Sequence, residues 1–285
     1  MDQKIIDLYD DFTHKTLDRR LFMERLVAIV GSVAIAEETA KLLMPNYALA
    51  AVIPENDPRL QTSTYRDPAS GVGGYLVVPK GVKVEESKNF VIVIHENRGL
   101  NPHIQDVARR VAAEGFVAFA PDLMGPLGGT PADSDEAAKL FAKVDFDAAT
   151  QSLAKFTANI KSSMAGRKVG AIGFCWGGGM VNALATQAPM LDAGATYYGV
   201  APKPEDVGKI KAALILHYGA LDARVNATKD AFEGELKKAG VNYSAFVYEG
   251  ANHAFNNDTS VERYNADAAK LAWSRSMELF RAKLL

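Results

Sequence analysis

The feature that most constrains the fold is an alternation of apolar strands with helical segments, which begins near residue 70 and continues to the C-terminus. Runs such as NFVIVIHE (89–96) and KVGAIGF (168–174) are rich in β-branched residues, as is typical of strands buried on both faces. Segments with helical periodicity follow them, at 102–115, 135–163, 178–188, 226–240 and 260–283. This order predicts an α/β fold, with a mostly parallel central sheet and helices on both faces.

The first sixty residues stand apart from this alternation. Arg19 and Arg20 open RRLFM, which precedes the apolar run LVAIVGSVAIA, and ALA follows at 48–50. This pattern resembles a degenerate twin-arginine export signal, although five aspartates precede the run and charged residues lie between the run and ALA. We therefore predict a helical extension or such a signal over 1–60, before a main domain over 61–285. The first interpretation implies a cytoplasmic protein, and the second a periplasmic or exported one.

Composition argues against several classes of partner. The net charge is -2 with no large basic block, so nucleic acid and anionic membranes are not expected partners. The apolar run of the N-terminal segment is too short to span a bilayer, and no stable membrane association is expected. The five histidines show no close pair of the kind that marks a zinc site, so no metal is expected. The sequence does not specify an oligomeric state.

The only cysteine, Cys175, lies in the motif GFCWGGG (173–179), directly after a predicted strand. The motif fits the nucleophile-elbow pattern G-x-S-x-G with cysteine in place of serine. Gly173 and Gly177 allow the backbones to approach in a turn that lifts the side chain above the sheet. The following helix start favours thiolate, and the peptide N–H of Trp176 points at the reacting centre. The alternative is an inert buried cysteine beside a glycine-rich packing turn.

A nucleophile needs a base, and the base needs an orienting group. Asp222 follows the strand AALILHYG, and His253 follows the last strand in YEGANHAFNN. Ligands of such sheets bind at the carboxyl ends of the strands, where both residues are expected. The order cysteine, acid, histidine is that of α/β-hydrolases and predicts a Cys175–His253–Asp222 triad.

Four ordered segments resemble the dienelactone hydrolase family of α/β-hydrolases: residues 91–123, GFCWGGG, LHYGALDARV and YEGANHAFNN. The resemblance covers roughly 65–285 and implies an α/β-hydrolase fold and hydrolysis of a small-molecule ester or lactone through a thioester, without a cofactor. It implies that Glu96 contacts the resting thiol and is displaced by substrate. It also implies oxyanion donors at the backbone N–H groups of Asn97 and Trp176.

The sequence departs from the family at the substrate pocket. Family members that act on dienelactone hold its carboxylate with an arginine four residues after the triad histidine, and here that position is Asn257. An acidic lactone is therefore not the expected substrate. Arg98 and Tyr198, which follow two other strands, are the remaining predicted pocket residues. Two other functions stay open at this point: a thiol redox protein that oxidises Cys175, and a binding domain without activity.

Overall fold

The structure is a computed structural model, and it describes residues 1–14, 17–47 and 52–285. Within these ranges the chain forms one eight-stranded sheet. The strands are β1 (Leu60–Arg66), β2 (Gly73–Pro79), β3 (Asn89–Ile94), β4 (Val117–Pro121), β5 (Lys168–Phe174), β6 (Ala193–Tyr197), β7 (Ala213–Gly219) and β8 (Tyr243–Tyr248). Their order across the sheet is β1-β2-β4-β3-β5-β6-β7-β8.

The sheet is parallel from β4 to β8 and antiparallel at one edge. β2 pairs antiparallel with both β1 and β4, whereas β3 pairs parallel with β4 and β5, and the remaining pairs continue in parallel. Because parallel strands end at one edge, the residues that follow β3, β5, β6, β7 and β8 come together there. The prediction of a mostly parallel α/β sheet is confirmed.

Nine α-helices lie within the described ranges. They are α1 (Gln3–His14), α2 (Arg19–Val30), α3 (Val33–Leu43), α4 (Pro102–Ala113), α5 (Ser134–Phe141), α6 (Phe146–Ser162), α7 (Trp176–Gln187), α8 (Ala223–Lys238) and α9 (Ala266–Leu284). Side chains of α4 and α9 join the buried cluster on one sheet face, and those of α6, α7 and α8 join the cluster on the other. Both faces are thus covered, which matches the continuous burial of the central strands.

The three N-terminal helices have a core of their own. Apolar side chains from α1, α2 and α3 form a third cluster, separate from the two that flank the sheet, in which Phe22, Leu26 and Leu43 are almost fully buried. Asp18 caps α2 and Ser32 caps α3, each by accepting from a backbone N–H group. The three N-terminal helices therefore pack on one another as a bundle beside the α/β domain.

Several elements differ from the sequence predictions. The helix expected over 135–163 is broken between α5 and α6, because Asp145 caps α6 by accepting from Ala148 N. The helix expected from 226 begins at Ala223, since Asp222 is its cap. The last helix begins at Ala266 after its cap Asn265, and not at 260. β1 was not predicted, because its side chains are largely exposed and show no apolar run.

No helix in the described ranges combines the length and apolarity needed to cross a bilayer. The ALA sequence at 48–50, which we considered as a cleavage site, lies outside the described residues.

Candidate active site

Cys175 lies at a sharp turn between β5 and α7. Its backbone has φ 55° and ψ -117°, a conformation that residues with a Cβ rarely adopt. A Cβ on Gly173 would lie 2.1 Å from the carbonyl oxygen of Gly177, and a Cβ on Gly177 would lie 2.4 Å from that of Ile94. These approaches explain the glycines on both sides of the cysteine. The thiol sits above the carboxyl edge of the sheet and is 6% exposed.

Asp222 and His253 form a buried pair at the same edge. The Nδ1 atom of His253 lies 2.6 Å from Oδ2 of Asp222, and both residues are 4% exposed. The other carboxylate oxygen accepts from Val225 N at 3.1 Å, so the cap of α8 also fixes the carboxylate that holds the imidazole. The pair leaves Nε2 of His253 directed away from Asp222.

His253 turns toward the thiol. One ring nitrogen of His253, one of His14 and the Sγ atom of Cys175 all lie within 4.8 Å of one another. The Nε2 atom of His253 is buried, and among the described residues the thiol of Cys175 is its one partner. The structure therefore brings together the three residues Cys175, His253 and Asp222, which are far apart in the sequence.

The N-terminal helix α1 adds a histidine that the sequence did not point to. Nε2 of His14 lies 3.0 Å from Sγ of Cys175, and the two imidazole rings of His14 and His253 meet edge to face with centroids 4.6 Å apart. Nδ1 of His14 lies 3.0 Å from a carboxylate oxygen of Asp10. Asp10 also pairs with Arg224, whose Nε is 3.1 Å from it.

The charges of this cluster stabilise a thiolate. Burial alone would raise the pKa of the Cys175 thiol, but the neighbouring imidazoles of His14 and His253 outweigh burial and lower it. Burial would lower the pKa of His253, and the thiolate and Asp222 raise it instead. The pKa of His14 rises for the same reasons, with Asp10 as its carboxylate. The cluster therefore favours the thiolate form of Cys175 and the charged forms of the two imidazoles.

The carboxylate of Glu96 is bound on the other side of the cavity over the thiol. It accepts from Nδ2 of Asn257 at 2.8 Å and from the Tyr198 hydroxyl at 3.4 Å. Asn257 is 2% exposed, so this contact is shielded from solvent on the side of the amide. The Tyr198 ring lies 4.9 Å from that of His253. In this structure the thiol contact that the family resemblance implies for Glu96 is made by His14.

Asn97 and Arg98 line the small space over the thiol, and Trp176 follows Cys175 at the start of α7. The Asn97 side chain donates to the carbonyl oxygen of Thr13 at 3.0 Å and so ties α1 to the loop after β3. Trp176 is the first residue of α7, so its peptide N–H has no acceptor within that helix. Its indole stacks on His95, with centroids 5.7 Å apart. Arg98 donates to the carbonyl oxygen of Asn97.

One space adjoins the thiol, and a second lies beyond His14 and Trp176. The one directly over it, which Glu96 and Tyr9 help to line, has a volume of only about 20 Å³, roughly that of one water molecule. A second, of about 680 Å³, begins at His14 and runs between α1 and α5. Its apolar walls are Phe12, Leu17, Phe141 and Trp176. Helix α1 thus separates the thiol from the larger space.

The sequence did not single out His14 or Asp10, because no local pattern links them to the elbow. The spacing of an acid and a histidine four residues apart on one helix is the only signal, and it is common on helix surfaces. Two other histidines are buried in separate contacts. His217 binds the hydroxyl groups of Tyr248 and Ser276. His95 donates from Nδ1 to the carbonyl oxygen of Glu96, and its Nε2 accepts from the N–H group of Leu123.

Comparisons with known proteins identify the family of this chain. The model of the dienelactone hydrolase family matches residues 72–284. A provisionally named carboxymethylenebutenolidase from Synechocystis sp. is 34% identical over 239 residues, 75% of this chain and 92% of that protein. A provisionally assigned hydrolase fragment from Escherichia coli is 46% identical over 108 residues, 36% of this chain and 91% of that protein.

Solved structures give the same result. A provisionally assigned dienelactone hydrolase from Klebsiella pneumoniae superposes with a TM-score of 0.69 at 28% identity. The superposition covers 78% of this chain and 98% of that one. The chain therefore belongs to the dienelactone hydrolase family and has its α/β-hydrolase fold.

Proposed function

We propose that this protein hydrolyses a carboxylic ester or lactone of a small molecule, with Cys175 as nucleophile and a thioester as the acyl-enzyme. Family membership indicates an ester or lactone hydrolase. The observation that carries the cysteine mechanism is the meeting of the elbow thiol with a buried histidine that is itself held by Asp222 at 2.6 Å. This is the nucleophile, base and orienting group that covalent catalysis requires.

In the first step the thiolate attacks the carbonyl carbon, a C–S bond forms, and the carbonyl electron pair moves to oxygen. The peptide N–H groups of Asn97 and Trp176 would donate to this oxyanion, and each such donor is typically worth about 3 kcal/mol. Trp176 supports this role because its N–H is one of the unpaired donors at the start of α7. The dipole of the same helix favours the negative charge.

His253 carries the protons. As imidazolium it protonates the leaving alkoxide when the C–O bond breaks, and as neutral imidazole it then takes a proton from water. The water attacks the thioester, the C–S bond breaks, and the thiolate and the imidazolium are restored. Asp222 orients the ring and stabilises its charged form. The raised pKa of His253 is consistent with a resting imidazolium that can act first as an acid.

Glu96 would gate the thiol, as the family resemblance implies. Its carboxylate lines the same small space as Sγ, and it is held there by Asn257 and Tyr198. To reach the thiol it must release Asn257, and a substrate that enters this space competes for the same position. In the resting protein Nε2 of His14, and not Glu96, contacts the thiol.

The substrate would be a neutral ester or lactone with an apolar portion. Asn257 takes the position at which the family resemblance would place an arginine against a substrate carboxylate. Its amide donates a hydrogen bond to Glu96 instead. The space between α1 and α5 offers four apolar walls and a volume of about 680 Å³, within the range of small-ligand sites. Tyr198 and Arg98 would line the reacting end.

The single cysteine makes the acyl-enzyme directly observable. Protein mixed with an activated aryl ester and quenched in acid should gain the mass of one acyl group on the peptide that contains Cys175, and hydroxylamine should remove it. Cys175→Ala should retain the fold and lose both the adduct and turnover. Unchanged hydrolysis by that variant, or an adduct on another residue, would exclude the mechanism. Oxidation of Cys175 by peroxide without any esterase activity would instead favour a redox role.

A further inference from the structure

We propose that His14, Cys175 and His253 form a site for one thiophilic divalent cation of the Zn²⁺ class. One ring nitrogen of each histidine and the Sγ atom lie within 4.8 Å of one another. No sequence pattern predicts this site, because the ligands come from α1, from the elbow and from the loop after β8. The binding itself does not depend on the hydrolytic mechanism.

Each imidazole has an acceptor on its other nitrogen. Nδ1 of His253 lies 2.6 Å from the carboxylate of Asp222, and Nδ1 of His14 lies 3.0 Å both from the backbone carbonyl oxygen of Asp10 and from a carboxylate oxygen of that residue. Metal-bound histidines commonly show this arrangement, which fixes the ring and raises the basicity of the free nitrogen. Both Nε2 atoms are therefore the ones left for a cation.

The two Nε2 atoms meet at the sulfur. Nε2 of His14 lies 3.0 Å from Sγ, and the buried Nε2 of His253 has no partner other than the thiol within the described ranges. A cation at this point would replace the protons that the two imidazoles share with the thiolate.

The donor set selects the metal. One thiolate and two imidazoles suit Zn²⁺, whereas Mg²⁺ and Ca²⁺ prefer oxygen ligands. Tetrahedral bonds of about 2.1 Å to nitrogen and about 2.3 Å to sulfur place nitrogen and sulfur about 3.6 Å apart. The His14–Cys175 distance of 3.0 Å would widen slightly to meet this value. A fourth ligand could be a water in the space of about 20 Å³ over the thiol, which is large enough for one.

Binding has a direct consequence for the chemistry, which rests on the proposed function. The cation would take the electron pairs of Sγ and of Nε2 of His253, and the protons of the cluster would leave to solvent. Neither the nucleophile nor the base would then be free. Zn²⁺ would therefore act as a reversible inhibitor, and a chelator would restore hydrolysis.

Cobalt provides a test that needs no activity. Metal-free full-length protein titrated with Co²⁺ should show a thiolate-to-cobalt charge-transfer band in the near ultraviolet and the intense visible bands of tetrahedral Co²⁺. Both should saturate at one equivalent, and Zn²⁺ should displace them. Cys175→Ser should abolish the charge-transfer band. His14→Gln should lower Zn²⁺ affinity at least about tenfold, as loss of a ligand requires.

Two further variants separate ligation from misfolding. Asp10→Asn keeps His14 and removes its carboxylate, and it should weaken Zn²⁺ binding about 10- to 100-fold. Asp7→Asn is the matched control on the same helix, since Asp7 is exposed and accepts a hydrogen bond from Gln3; affinity should not change. Absence of a charge-transfer band in the native protein, or equal affinity in the His14→Gln variant, overturns the site. Neither result bears on whether Cys175 forms a thioester.

Discussion

Nε2 of His14 lies 3.0 Å from Sγ of Cys175, although 161 positions separate the two residues in the chain. Because His14 is the last residue of α1, this contact makes the N-terminal helix part of the active-site wall. The contacts that tie α1 to the α/β domain around it are polar: Asp10 with Arg224, and Thr13 with Asn97. The helical bundle keeps its apolar side chains in a separate cluster. The thiol is thus covered by a helix whose apolar side chains pack within the bundle and whose contacts with the α/β domain are polar.

Phe22→Ala should uncover the thiol without unfolding the α/β domain. Phe22 is 2% exposed inside the helical bundle, and its truncation should cost that bundle about 3–5 kcal/mol. Release of α1 should then speed alkylation of Cys175 by iodoacetamide, which is followed by mass at the only cysteine. Leu42→Ala on the exposed side of α3 is the control and should leave the rate unchanged. Equal rates in both variants would mean that α1 does not cover the thiol.

The alkylation of Cys175 should depend on pH in the manner of a thiolate. The fold lowers the pKa of this thiol through His14 and His253, despite its burial. The reactive form therefore persists as the pH falls below about 8.5, the ordinary pKa of cysteine, and disappears only at the lowered value. The relative rate, measured with a chelator present, should be level from about pH 7 upward. The same protein in urea should follow the ordinary profile, and coincidence of the two curves would refute the shift.

Gly173→Ala should destabilise the protein by about 3 kcal/mol or more. The new Cβ would lie 2.1 Å from the carbonyl oxygen of Gly177, and neither backbone can move without distorting the elbow. Gly234→Ala on α8 is the matched control, since nothing lies within 4 Å of its Cβ position. It should raise the free energy of unfolding by about 0.5–1 kcal/mol. Urea denaturation of the two variants measures both effects, and a neutral Gly173→Ala would contradict the close approach.

The sequence predicted those parts of the site that are determined by a local sequence pattern. The strand β5, the elbow and the helix α7 follow one another along the chain. The apolar run of the strand, the glycines of the turn and the start of the helix therefore specify together where Cys175 lies. Asp222 and His253 were placed by the rule that parallel strands end at one edge. The contact of His14 could not be predicted in this way, because it depends on how a separate helical unit docks. β1 was missed for a different reason: antiparallel pairing at the sheet edge needs no apolar run.

Asp222→Asn should separate catalysis from structure. Its Oδ1 accepts from Val225 N at the start of α8, and asparagine is an equally good cap, so stability should change by less than about 0.5 kcal/mol. Its other oxygen holds Nδ1 of His253, and an amide there favours the wrong tautomer and no longer stabilises the imidazolium. We expect kcat for an activated aryl ester to fall by about 10⁴-fold.

Asp222→Ala provides the comparison that assigns each effect. It removes both contacts, so kcat should fall at least as far, and the free energy of unfolding should also drop by about 1 kcal/mol because the cap is lost. Stopped-flow turnover and urea denaturation of the two variants give the two quantities separately. If Asp222→Asn retained turnover near that of the native protein, Asp222 would be a helix cap alone. His253 would then need a different acceptor for its Nδ1 proton.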